Sequence, residues 1–159
     1  MKNIVLIGMP GSGKSVVGKL LSNMLRLPLI DLDREIERRS GMTIPQIFSE
    51  EGEAAFRKRE TEALQSVVHR KRHIIASGGG IVTRAENHPL LRVNSHIFFL
   101  KRPVDQLSRR GRPLSGGDLE AMYKVRLPYY EDLADFTVEN SETPQRAAQR
   151  ILSILEEKA

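Results

Sequence analysis

Short apolar runs alternate with stretches of helical spacing along this 159-residue chain. Residues 4–7, 74–76 and 97–100 are continuous apolar runs bounded by polar residues, as expected of strands buried on both faces. Residues 29–32 and 136–138 read as two further short strands. Between the strands the spacing turns helical. Residues 15–26 put Val16, Val17, Leu20, Leu21, Met24 and Leu25 on one face, and residues 33–39 and 44–49 form two short helices around Gly41 and Pro45. Residues 53–69 carry Phe56, Leu64, Val67 and Val68 within a long polar helix. Residues 143–157 close the chain, with Thr143 as N-cap, Pro144 at N1, and Ala147, Ala148, Ile151, Ile154 and Leu155 facing inward. Five short strands separated by helices predict an α/β fold: a parallel sheet with helices on both faces.

No repeat, low-complexity tract or linker divides the chain, so we expect a single domain over residues 1–159. One segment has weak core content. Residues 108–117 hold Gly111, Pro113, Gly116 and Gly117 among three arginines, the pattern of a mobile loop. Pro128, further on, is expected to kink or reset a helix.

Composition narrows the class. The chain is 40% hydrophobic and 28% charged, ordinary for a globular protein, and no apolar stretch approaches the ~20 residues of a membrane span. There is no cysteine, which excludes disulfides and thiolate-held metals. No secretory leader is visible, so a cytoplasmic location is expected. The net charge of +5 is concentrated: residues 101–126 hold Lys101, Arg102, Arg109, Arg110, Arg112, Lys124 and Arg126 against Asp105, Asp118 and Glu120. A local basic stretch suits a small polyanion such as a nucleoside triphosphate. With no Trp, five Phe and three Tyr, the chain lacks the aromatics of a base-stacking platform, and nucleic acid is not an expected partner.

The most specific chemistry is Gly8-Met9-Pro10-Gly11-Ser12-Gly13-Lys14-Ser15, placed between the first strand and the first helix. This is the phosphate-binding pattern G-x-x-x-x-G-K-[ST] in its required context. Glycines let backbone N–H groups converge on phosphate oxygens, and the new helix adds its N-terminal partial positive charge. Lys14 is placed to reach the β- and γ-phosphates, and the Ser15 hydroxyl to ligate magnesium.

Four weaker signals follow. Asp31 and Asp33 end the second strand, where ligands of open α/β sheets gather. Alternation along a strand puts both carboxylates on one side and Leu32 in the core. One could hold magnesium and the other accept a proton from an attacking hydroxyl; the bland alternative is that one of them caps the helix beginning near Arg34. Gly78, Gly79 and Gly80 follow the third strand and allow a ligand close to the backbone. Arg57 can pair with Glu53 and Glu60 as a solvated ion-pair network, or join Arg126 to grip a carboxylate. Arg112, in the Gly-flanked segment Arg112-Pro113-Leu114, fits a lid that carries a cation to a transferring phosphoryl group, and Arg109 could stack on adenine.

Taken together, these motifs closely resemble the shikimate kinase family. They are Gly8 to Ser15, Asp31-x-Asp33, Gly52-Glu53-x-x-Phe56-Arg57-x-x-Glu60, Gly78-Gly79-Gly80, Arg112-Pro113-Leu114 and Arg126-x-Pro128-x-Tyr130. The resemblance runs from the first strand to the last helix. It implies a three-layer P-loop kinase fold with a mobile lid near 108–117 and an acceptor-binding region near 33–60. It also implies ATP-dependent phosphorylation of the 3-hydroxyl of shikimate, with Mg2+ accompanying ATP, in a monomer that binds no membrane.

By that resemblance, Gly11, Ser12, Gly13, Lys14, Ser15, Val16, Arg109 and Arg112 bind ATP, and Ser15 and Asp31 serve the metal. Asp33, Arg57, Gly78, Gly79, Gly80 and Arg126 bind shikimate, and Lys14, Asp33 and Arg112 are catalytic. The lid is short, and Ser115 stands where a second leucine often follows Arg-Pro-Leu.

Competing readings explain less. A gluconate kinase shares the loop and Asp-x-Asp, but its usual histidine is missing from Arg34-Glu35-Ile36-Glu37. A nucleotide-dependent nucleic-acid-binding module leaves Asp33 and the triple glycine unexplained. A regulator that binds ATP without catalysis does not account for Lys14, Asp31, Asp33 and Arg112 occurring together.

Overall fold

The computed structural model describes residues 2–107 and 116–158. Five parallel strands form one sheet: β1 (Asn3–Ile7), β2 (Leu29–Asp31), β3 (Ile74–Ala76), β4 (Ser95–Lys101) and β5 (Phe136–Glu139), in the order β2-β3-β1-β4-β5. Val5 of central β1 pairs with Ile75 on one side and Ile97 on the other. The first strand is buried throughout, whereas edge strand β5 exposes alternate residues, so the unbroken apolar runs mark the middle of the sheet.

Strand alternation splits the core into two layers. Ile4 and Leu6 join Phe98, Leu100 and Val138 beneath α1 (Lys14–Leu25) and α7 (Pro144–Lys158). Val5 and Ile7 join Ile75, Ile97 and Phe99 on the opposite face. That face is covered by α2 (Leu32–Ser40), α3 (Ile44–Glu51), α4 (Glu53–Val68), α5 (Asn87–Leu91) and α6 (Gly116–Leu133). Helices lie on both faces, as the alternation of strand and helix predicts.

Details depart from the sequence reading. Val16 and Met24 of α1 are exposed, because six positions exceed the width of one buried stripe. The stripe centres on Val17, Gly18 and Leu21. Gly18 lets α1 close on the sheet: a Cβ there would stand 3.0 Å from Leu29 Cδ1. Helix α6 starts at Gly116 and runs through Pro128, so the two glycines expected in the loop open a helix instead, and Pro128 does not end it. Burial of Leu119, Tyr130 and Leu133 offsets the lost N–H donor. The rest of the expected lid, residues 108–115 with Arg109 and Arg112, lies outside the described residues. At the last helix Thr143 caps as expected, accepting from Arg146 N at 3.1 Å.

Candidate active site

The phosphate loop joins β1 to α1 and is held by its neighbours. Gly13, the N-cap of α1, has φ 96°, and a Cβ there would lie 2.5 Å from Asn140 Nδ2. Only glycine satisfies both the torsion and the close approach. Asn140, just past β5, donates to Ser12 O at 2.7 Å, and Arg102, just past β4, donates to Gly11 O at 3.1 Å. Buried Lys14 donates from Nζ to Gly8 O at 2.6 Å and Met9 O at 2.9 Å, so its ammonium lies inside the curve of the loop. Gly11, Gly13, Lys14, Ser15 and Val16 line a cavity of about 870 Å3. Ser12 does not line it; its side chain is buried beneath the loop.

Asp31 and Asp33 both line the same cavity, and Leu32 is wholly buried, but strand alternation is not the reason. The strand ends at Asp31, and Asp33 lies in the first turn of α2. The helix cap is Asp31, not Asp33: Asp31 Oδ1 accepts from Asp33 N at 3.1 Å and Arg34 N at 3.4 Å. The other carboxylate oxygen of Asp31 accepts from Ser15 Oγ at 2.8 Å. Two hard oxygens so close match neighbouring positions on a magnesium ion, whose ligands at ~2.1 Å lie about 3 Å apart. Among the described residues no cluster of three or more His, Asp or Glu could hold a metal alone. This donor set therefore fits an ion that keeps waters and takes phosphate oxygens.

The opposite end of the cavity is assembled from α2, α3, α4, α6 and the turn after β3. Thr43 and Gln46 form a capping box that fixes the start of α3, which contributes Ile44 and Phe48 to the wall. Phe48 packs against Phe56 with ring centroids 4.7 Å apart, and the Arg57 guanidinium lies over the Phe56 ring at 5.2 Å. Arg57 pairs with Glu60 at 2.9 Å and Glu53 at 3.6 Å. The expected ion pairs exist, but only the one to Glu53, 69% exposed, is solvated; Glu60 is 1% exposed. Burial pushes the Glu60 carboxyl above its ordinary range, against the pull of Arg57 and Arg126. Arg57 and Arg126, 69 positions apart in sequence, line one cavity with Asp33.

The triple glycine serves its protein neighbours first. A Cβ on Gly78 would stand 2.8 Å from Glu60 Oε2 and 3.1 Å from Asp33 Oδ1. On Gly79 it would strike Pro10 of the phosphate loop at 2.6 Å, and on Gly80 it would overlap the Arg57 guanidinium. The backbone here is a floor on which the acidic, basic and phosphate-loop groups converge. Two lining or supporting residues do more than the sequence reading assigned them, which was an ion pair for Glu60 and only a place in a motif for Tyr130. Glu60 lies on the buried stripe Phe56, Ala63, Leu64 and Val67 of α4, a helical spacing that marks it as inward-facing. Tyr130 is one turn from Arg126 and is wholly buried.

Comparison with known proteins gives one answer. The family described as Shikimate kinase matches residues 10–156. A shikimate kinase from Nitrosomonas europaea is 42% identical, covering 91% of this chain and 74% of its own. One from Methylococcus capsulatus is 41% identical, covering 94% and 89%. Among solved structures, shikimate kinase from Acinetobacter baumannii in complex with shikimate superposes with a TM-score of 0.94 at 36% identity, over 99% of this chain and 94% of that one. Shikimate kinase from Aquifex aeolicus gives 0.87 at 35% identity, over 98% and 97%. The chain belongs to the shikimate kinase family.

Proposed function

We propose that this protein transfers the γ-phosphoryl group of ATP to the 3-hydroxyl of shikimate. One observation carries the reading: a single cavity is lined by the phosphate loop at one end and by both Arg57 and Arg126 at the other, with Asp33 on its wall. A nucleotide acceptor calls for a base pocket, whereas two guanidiniums and a carboxylate suit a small hydroxylated acid. The relative solved with shikimate supports the same acceptor.

In this reading the phosphate-loop amides and Lys14 hold the β- and γ-phosphates and oppose the charge spreading over the transferring group. Ser15 and Asp31 hold the magnesium, which when bound neutralises phosphate charge. Arg57 and Arg126 grip the acceptor carboxylate by paired N–H bonds, and Gly78, Gly79 and Gly80 let the sugar-like ring approach the backbone. That grip turns the 3-hydroxyl toward the phosphate loop. Its oxygen forms a bond to the γ-phosphorus, the bond from that phosphorus to the β–γ bridging oxygen breaks, and Asp33 takes the hydroxyl proton. The products are shikimate 3-phosphate and ADP.

Arg112 is assigned to the reacting phosphates and Arg109 to adenine on the family motif. Purified protein is given magnesium-ATP with a panel of hydroxylated acids and nucleotides, and ADP release is followed. Release with shikimate alone supports the proposal; equal release with gluconate or a nucleoside monophosphate overturns it.

A further inference from the structure

Arg57 is braced on its own helix by Glu53 and Glu60. Arg126 is braced differently, by a buried residue one turn further along its helix. Tyr130 is 0% exposed, and its ring stacks on Phe99 with centroids 4.9 Å apart. Its hydroxyl donates to the carbonyl of Gly79 at 2.6 Å, and the Arg126 guanidinium, which lines the same cavity as Gly79, lies close enough for its charge to act on the phenol. Burial pushes the phenol up to about 12, so it remains a donor at working pH. Helix spacing sets Arg126 and Tyr130 one turn apart on α6, and Gly79 lies against Pro10 of the phosphate loop. One hydroxyl therefore joins the helix that bears the second arginine to the floor of the acceptor site.

We propose that Tyr130 is a positioning residue for acceptor recognition: through its hydroxyl it fixes the Arg126 guanidinium relative to the Gly79 backbone, so that the acceptor carboxylate meets a preset fork. An arginine left to its own rotamers must be ordered when the acceptor binds, and the cost appears in acceptor affinity. A tyrosine that merely fills the core would affect stability alone. The inference rests on the shikimate reading above.

The test is Tyr130→Phe, which keeps the ring and removes the hydroxyl, assayed beside wild type, Arg126→Lys and the double variant. KM for shikimate should rise roughly tenfold, while kcat and KM for ATP stay within about threefold. In the Arg126→Lys background the same change should add less than about twofold, because the brace then has no fork to position. An unchanged KM for shikimate, a uniform fall in all parameters, or additive effects in the double variant each overturn the inference. Should Tyr130→Phe fail to fold, wild-type protein carrying 3-fluorotyrosine gives the answer by fluorine NMR, its signals assigned with Tyr123→Phe and Tyr129→Phe. Shikimate should shift the Tyr130 signal and ATP alone should not; a signal indifferent to shikimate overturns the inference. Wild-type protein that leaves shikimate unphosphorylated overturns the functional reading instead, and this inference with it.

Discussion

The two ends of the cavity are built in opposite ways. At the nucleotide end, the lining residues Gly11, Gly13, Lys14, Ser15 and Val16 belong to one contiguous stretch, and one strand–loop–helix unit shapes them. At the acceptor end, Asp33, Phe48, Arg57, Gly79 and Arg126 come from four helices and one turn, and no two are neighbours in sequence. Local backbone geometry defines the first, tertiary packing the second. The nucleotide end should therefore respond to changes in single loop residues, and the acceptor end to changes in the scaffold that brings its parts together.

The largest effect is expected at the contiguous end. Lys14→Met removes the ammonium from inside the loop and should lower kcat at least about a hundredfold in a protein that still folds. Single-turnover kinetics with a melting curve checks both parts. At the junction of the two ends, Asp33→Asn should abolish most transfer yet leave magnesium-ATP affinity intact. Asp31→Asn should instead raise the magnesium requirement with little change in stability, since the Asn side-chain oxygen can still cap α2. Magnesium titrations of the two variants separate them, and matching curves would refute the division of labour.

The acceptor end should show effects on affinity. Arg126→Lys is expected to weaken shikimate binding roughly ten- to hundredfold, because an ammonium lacks the planar fork. Gly80→Ala should do similar damage without touching a charge, since the new methyl group must displace the Arg57 guanidinium. Calorimetry with shikimate and, separately, an inert ATP analogue reads both; the comparison breaks if ATP affinity falls as far as shikimate affinity.

The smallest effect concerns stability. Burial raises the folded-state pKa of Glu60, so the folded protein holds this proton more tightly than the unfolded chain. Stability from this group is fully present below the ordinary carboxylate pKa near 4.5 and declines as pH rises through the higher folded value. Wild type should therefore lose ground to Glu60→Gln as pH rises above the ordinary carboxylate pKa near 4.5, measured as the difference in urea midpoints across pH. A difference that runs the other way contradicts the assigned burial cause.

What was legible in the sequence follows the same division. All five strands were legible: the three central ones as unbroken apolar runs, and the edge strands β2 and β5, half-buried or exposing alternate residues, as short apolar stretches between helical spacings. The phosphate loop was legible because its parts are adjacent. Helix α6 was not: its apolar residues face several directions, Val125 outward and Leu133 inward, its two opening glycines were assigned to the loop, and Pro128 argued for a break within a helix. Asp31 and Asp33 were found together, and that one of them could cap the next helix was legible, but not which, since sequence does not say where a three-residue strand gives way to a helix. The spacing of Arg57, Glu53 and Glu60 predicts the ion pairs but not the burial of Glu60. That depends on α4 turning Glu60 toward Gly78, a contact between residues 18 positions apart.

The most direct measurement of the whole account is phosphorus NMR of magnesium-ATP and shikimate incubated with the protein. The account predicts that the γ-phosphate resonance of ATP falls while a phosphate monoester resonance and the ADP signals grow in equal amounts, and that Lys14→Met stops all three changes. ADP accompanied by inorganic phosphate, with no new monoester, would show transfer to water and contradict the assignment of shikimate as acceptor.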